Sequence, residues 1–336
     1  MIVRDYEPMR VSLVFTGFAP IASTLPAVHA AERHGLDGVW SAEHIGFHDA
    51  IAPSLLYLRE TGRLEIGLVG FSPASRHPGM LAMEIASLAE LAPGRIRVQV
   101  GTGDPSLVAK LGKPVHAPAR STATFVRSLR EALAGSDMNI EYPDYAFRGF
   151  KLAPLAPPPP IDVMAVRPKM IETAARVADG VSLSVGASRA YLRDTVAAIE
   201  RSLAEQGKPR AGFRVTALSL AVIAKDLDAA RAMVVPLLAM GEPSMVEHLT
   251  RGVFAPGEVT AAAARGGPFA LAKLFTPEAI DEIALVSTPD GLAESLARYA
   301  ETGIDELAVG IFAAPDELPA IVAELGRARG ELRRNG

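Results

Sequence analysis

The chain has 336 residues, of which 49% are apolar and 21% charged, enough to bury a large core in one big α/β barrel or two medium domains. Thirty-four basic residues against 38 acidic ones give a formal net charge of -4 with no long run of either sign, which argues against nucleic-acid or anionic membrane partners and favours small molecules. Cysteine is absent, excluding disulfides, thiolate metal sites and cysteine nucleophiles; with no apolar signal core and no bilayer-length apolar run, a soluble cytoplasmic protein is expected.

Short β-branched runs alternate with longer segments rich in Ala, Leu, Glu and Arg, the pattern of repeated βα units around a parallel sheet. Strands are predicted at 11–16, 38–42, 64–70, 96–101, 161–166, 181–185, 213–224 and 306–311. Helices are predicted at 24–34, 54–60, 78–91, 122–133, 168–178, 189–206, 227–240 and 316–327, with an additional one at 289–301 before the last strand. A strict alternation of this length favours a single α/β domain over 1–336, a closed (β/α)8 TIM barrel, over an open doubly wound sheet.

Two stretches interrupt the rhythm and read as insertions after the fourth and seventh strands. Residues 135–160 contain Tyr142-Pro143-Asp144-Tyr145 and four consecutive prolines from Pro157, and read as an irregular crossover with a stiff approach to the fifth strand. Residues 241–285, rich in Ala, Gly and Pro, occupy a position where a barrel accepts a lid or a substrate-binding insertion.

Chemistry in such a barrel sits where strands end. After the second strand come Glu43 and His44, a carboxylate beside an imidazole, suited to proton transfer or to hydrogen bonding a ring ligand. His44, His48 and Asp49 also form a sparse metal-like set, but without a helix to align them no metal is expected. The loop 72–78 leads into an apolar helix that starts at Pro78 and stops at Pro93-Gly94. The strand that follows ends in Gly101-Thr102-Gly103-Asp104, where glycines allow close backbone approach and Thr102 and Asp104 supply polar handles.

The ordered motifs Gly38–His44, Ser72–Pro78, Pro93–Asp104, Ala178–Gly180 and Val286–Asp290 resemble the bacterial-luciferase-like superfamily of flavin-dependent barrels, more narrowly its deazaflavin-dependent, methylenetetrahydromethanopterin reductase-like branch. The resemblance runs from about Val11 to Ala313. It implies an oxidoreductase that transfers a hydride between a deazaflavin coenzyme (F420 type) and a small organic substrate. The alternatives are an FMN-dependent two-component monooxygenase served by a separate reductase, and a non-catalytic flavin-binding barrel. By residue, it implies His44 at the reacting face, Glu43 beside it and Asp104 near the substrate. It also implies a non-prolyl cis bond near Val69 and Gly70 behind the ring, cofactor contact at Thr102 and Gly103, and the cofactor phosphate near Ser184 and Gly186. A homodimer is implied, with an interface on helices near the second and third strands.

Two departures from the family pattern stand out. Relatives often carry a glycine pair after the fifth strand, where this chain has Val166 and Arg167; Arg167 either clamps a phosphate or carboxylate tail or selects another ligand. Gln99 lies inside a strand where relatives often have glycine, so substrate identity does not transfer.

Overall fold

Each β-rich run becomes a parallel strand, and the computed structural model, which describes residues 8–103, 108–112 and 116–335, closes eight of them into a barrel. The first half comprises β1 (Arg10–Phe15), α1 (Ile21–Arg33), β2 (Gly38–Ala42), α2 (Ile51–Glu60), β3 (Glu65–Phe71), α3 (Pro78–Leu91) and β4 (Ile96–Val100). After α4 (Pro118–Leu133) comes an antiparallel hairpin of β5 (Met138–Glu141) and β6 (Ala146–Phe150). Next are β7 (Ile161–Ala165), α5 (Pro168–Val177), β8 (Gly180–Leu183), α6 (Arg189–Glu205) and β9 (Arg214–Ile223). The remainder holds α7 (Leu227–Ala239), α8 (Pro243–Leu249), α9 (Glu258–Ala272), α10 (Pro277–Ile283), β10 (Leu285–Ser287), α11 (Leu292–Ala300), β11 (Glu306–Ile311) and α12 (Leu318–Asn335).

The barrel runs β1-β2-β3-β4-β7-β8-β9-β11 and closes from β11 back to β1. The short β10 lies along the far end of β9, where Ala221 pairs with Leu285 and also with Ile311. One stretch corrects the sequence reading and another adds to it. Residues 135–160 are not wholly irregular: they contain the β5–β6 hairpin, closed where Tyr142 N–H donates to Tyr145 O (2.9 Å) and packed through Tyr145, Phe147 and His77. Residues 241–285 fold into α8, α9, α10 and the start of β10; the non-helical Gly266 and Gly267, just before Pro268, kink α9 and hide its periodicity.

Alternation along the strands separates two environments. Val98, Val100, Val163, Val181 and Leu183 join the large core beneath the helices, so Arg97, Gln99, Asp162 and Ser182 between them face the lumen. At the N-terminal end of the lumen, three cations meet three anions. Arg97 holds Asp162 through two 2.6 Å hydrogen bonds, and Arg214 binds Glu65 and Glu306 (3.1 Å to the latter). Arg10 reaches Glu65 at 3.3 Å and Glu306 at 3.8 Å. Burial opposes ionisation of Glu65, but the charges of Arg214, Arg10 and Arg97 outweigh it and hold the carboxyl below its usual range.

Glycines make room for this floor. A Cβ on Gly180 would stand 2.4 Å from Asp162 Oδ1, and one on Gly67 would enter the Trp40 ring, 1.8 Å from its nearest carbon. Trp40 lies across that gap and donates its indole N–H to Glu306 (2.9 Å). The Asp162→Leu variant leaves Arg97 charged and unpaired in a buried site, so it is expected to destabilise the fold by about 3–5 kcal/mol, read from urea unfolding.

Candidate active site

Above Trp40 the lumen becomes apolar. Val14, Trp40, Ala42, Val69, Leu218 and Ala308 form a buried cluster of their own, with Met164 and Val185 partly buried against it. Val14, Ala42, Val69 and Met164 come from the C-terminal halves of their strands and Val185 from just beyond β8, while Trp40, Leu218 and Ala308 come from mid-strand, so together they form a greasy seat under the mouth of the barrel.

His44 follows β2 at the rim of this seat. Its ring packs 4.7 Å from Phe18, which meets Phe47 edge-on at 4.7 Å; both phenylalanines are exposed. Glu43 is committed elsewhere: its Oε2 accepts from Arg76 at 2.6 Å, and Arg76 also binds Glu84 at 2.8 Å and lies over the Phe71 ring. Glu43 thus ties the His44 loop to α3. His48 and Asp49 also have local tasks. His48 Nδ1 lies 2.6 Å from Gly17 O, and Asp49 accepts from the N–H groups of Ile51 (2.7 Å) and Ala52 (3.0 Å) at the start of α2. Among the described residues, no group of three or more His, Asp or Glu could hold a metal ion.

Val69 lines the seat, and its carbonyl accepts from Glu43 N–H at 2.8 Å. The expected non-prolyl cis bond at Val69 or Gly70 is absent; among the described residues the cis peptide is Ala156–Pro157. Gly70 instead turns the chain through a left-handed φ of 100° within the β3–β4 register shift, a conformation open to glycine without a cis bond. A Cβ there would stand 2.7 Å from Glu43 O, so the close approach of β2 and β3 at the rim also requires glycine.

Gly101 continues from β4 with its N–H on Phe71 O (2.8 Å), and the Thr102 carbonyl accepts from Ser72 at 3.0 Å. Gly103 has φ 72°, and Asp104 lies outside the described residues. Ser184 is half-buried at the end of β8, followed by Gly186 at φ 83°. The rim therefore brings His44, Val69, Gly70, Thr102, Gly103 and Ser184 to one end of the barrel, as strand-end positions should.

Beside that rim, Arg167 opens onto a cleft of about 360 Å³ lined also by Ser244, His248, Arg251 and Thr260. Arg167 donates to Ser244 Oγ (2.8 Å), while Val166 O accepts from Tyr191 OH (2.6 Å) and from His248 Nε2 (3.1 Å). The sequence reading missed Ser244, His248 and Arg251, although Ser244 and His248 stand four apart on α8, a same-face spacing. Burial pushes the His248 pKa down, and the Arg251 and Arg167 charges push it further, against the hydrogen bond to Val166 that raises it. An NMR titration should place the His248 midpoint below 6.5, and Arg251→Ala should move it upward by removing one repelling charge.

The family model described as luciferase-like monooxygenase matches residues 8–306. A 5,10-methylenetetrahydromethanopterin reductase from Methanolobus tindarius is 26% identical over 323 residues, covering 93% of this chain and 97% of that protein. The solved coenzyme F420-dependent tetrahydromethanopterin reductase from Methanopyrus kandleri superposes with a TM-score of 0.79 at 18% identity, over 95% of this chain and 99% of that one. The EDTA monooxygenase of Chelativorans sp. BNC1 superposes at 0.73 with 15% identity, over 97% and 94%. At these identities the two superpositions show a shared fold. Among the described residues no helix is long and apolar enough to cross a membrane.

Proposed function

The chain belongs to the luciferase-like monooxygenase family, and from that premise we propose that it is an oxidoreductase moving a hydride between a deazaflavin coenzyme of the F420 type and a small organic substrate. The observation that carries the reading is an apolar seat closed below by Trp40 and rimmed by a titratable ring, His44. The choice of coenzyme draws on the superposition with the coenzyme F420-dependent tetrahydromethanopterin reductase, alongside the full-length likeness to a methylenetetrahydromethanopterin reductase.

The residues present fit such a group. The seat of Val14, Ala42, Val69 and Leu218 suits a flat apolar ring face, and Gly70, Thr102 and Gly103 bring backbone close beside it. Arg167 and Arg251, with Ser184 and Gly186 on the neighbouring strand end, supply the cation and polar groups an anionic tail needs. When bound, the coenzyme supplies the hydride chemistry, and the protein supplies position and proton traffic. His44 moves a proton at the substrate heteroatom, Glu43 and Arg76 fix the loop that carries His44, and Asp104 assists at the substrate. The apolar seat excludes water from the reacting face.

A second reading, an FMN-dependent two-component monooxygenase supplied by a separate reductase, draws on the superposition with the EDTA monooxygenase. Fluorescence titration with oxidised F420 and with FMN separates the two: F420 is expected to bind more tightly, without O₂ consumption on turnover. Binding of FMN alone, with O₂ uptake in the presence of reduced FMN, overturns the deazaflavin reading. His44→Ala is expected to lower kcat by about 10²–10⁴-fold while coenzyme binding persists.

A homodimer is part of the proposal. Leu55 on α2 and Met80, Met83 and Leu91 on α3 are large apolar side chains left 41–55% exposed, on the helices after the second and third barrel strands. Sedimentation should give twice the chain mass, and Met83→Glu should shift the protein toward the monomer.

A further inference from the structure

Gln99 on β4 is fully buried, and neither its amide nitrogen nor its amide oxygen has a hydrogen-bond partner. Ser182 on β8 is 1% exposed, and its hydroxyl is likewise without a partner. Buried amides and hydroxyls are nearly always paired, because stripping them of water without replacement is costly. The floor beneath does not supply the missing partner: Arg97, one inward position below Gln99, is committed to Asp162 and to the Asp179 carbonyl.

The register shows what lies above. Gln99 stands beside Asp162, and Asp162 beside Gly180; one inward position higher, Met164 pairs with Ser182. Gly101 occupies that higher level on β4, since a Cβ there would be 3.0 Å from Met164 Cβ. So β4 places no side chain over Gln99. The Met164 side chain lies in the space that Gly101 leaves and is itself partly exposed, so a ligand in the mouth reaches Gln99 by displacing one flexible thioether.

We propose that Gln99 is a specificity-determining ligand contact: its amide hydrogen-bonds the polar edge of a flat heterocycle seated in the mouth, with the Ser182 hydroxyl as second partner. A primary amide presents a donor and an acceptor side by side, and it complements a ring edge on which N–H and C=O alternate. The pyrimidine-dione edge has that pattern and is common to FMN and F420, so the inference rests on the flavin-type function proposed above and holds for either coenzyme. The unpaired amide is then preorganised binding capacity, kept at the expense of the unliganded fold.

The test compares the full-length native protein with Gln99→Leu and Gln99→Met, apolar replacements of similar reach, and with Ser182→Ala. Circular dichroism gives Tm without ligand, and fluorescence titration gives Kd for FMN and for F420. The expected result is an unchanged or raised Tm for the Gln99 variants, together with a Kd for the bound coenzyme at least about tenfold higher. Ser182→Ala is expected to weaken binding by a smaller factor. Unchanged Kd in both folded Gln99 variants overturns this inference alone. If the native protein binds neither coenzyme, both this inference and the functional proposal fall.

Discussion

The architecture turns on the charge balance inside the barrel floor. Arg10, Arg97 and Arg214 face Glu65, Asp162 and Glu306 in a lumen largely closed to water, where any unmatched charge carries a desolvation penalty of several kcal/mol. These six residues lie on β1, β4, β9, β3, β7 and β11, so the ion network ties six of the eight barrel strands across the axis. Helix-facing apolar contacts determine how each βα unit packs; mutual neutralisation makes the strands agree on one register. A slip of one residue on any of the six would turn a charge out of the lumen and strand its partner.

The mouth inherits its shape from that floor. Glu306 accepts from Ser12 (2.5 Å) as well as from Trp40, and the indole is thereby held over Gly67. Trp40 is both the cover of the ionic layer and the base of the apolar seat, so the polar and apolar halves of the lumen are separated by one side chain. A ligand face resting on Val14, Ala42, Val69 and Leu218 is kept away from the buried charges. That separation matters for a redox ring, whose electronics respond to nearby charge.

The strands were readable from the sequence because β-branched runs repeat between helical segments, and β2 and β11 fall on the boundaries that periodicity gives. The ion network was not readable. Its partners lie far apart in the chain, 149 residues for Arg214 and Glu65 and 296 for Arg10 and Glu306, and nothing local distinguishes Glu65 from a surface carboxylate at the start of a strand. The β5–β6 hairpin escaped because Pro143 and Asp144 at its turn read as loop chemistry and its strands are only four and five residues long. At the site, His44 stands just past a strand end as its position in the sequence implied, whereas Gly70 entered through the resemblance and carries a left-handed turn in place of the cis bond. The role of Glu43 was not readable, since its ion pair with Arg76 depends on how the loop before α3 folds back.

The same distinction explains why the family is legible and the substrate is not. The seat is built largely by strand residues whose inward facing is fixed by register, so its position follows from closing the barrel. Recognition at the mouth falls to residues from connections: Phe18 and Phe47 around His44, and Ser244, His248 and Arg251 from the segment between β9 and β11. Those segments lie outside the ionic floor: Arg167, just past β7, takes its partner Ser244 from α8. Gln99 is the exception that joins the two levels. It is a strand residue held by register, yet its amide takes no part in the floor below it, so a specificity element is carried on the most rigid part of the scaffold, where its geometry varies least.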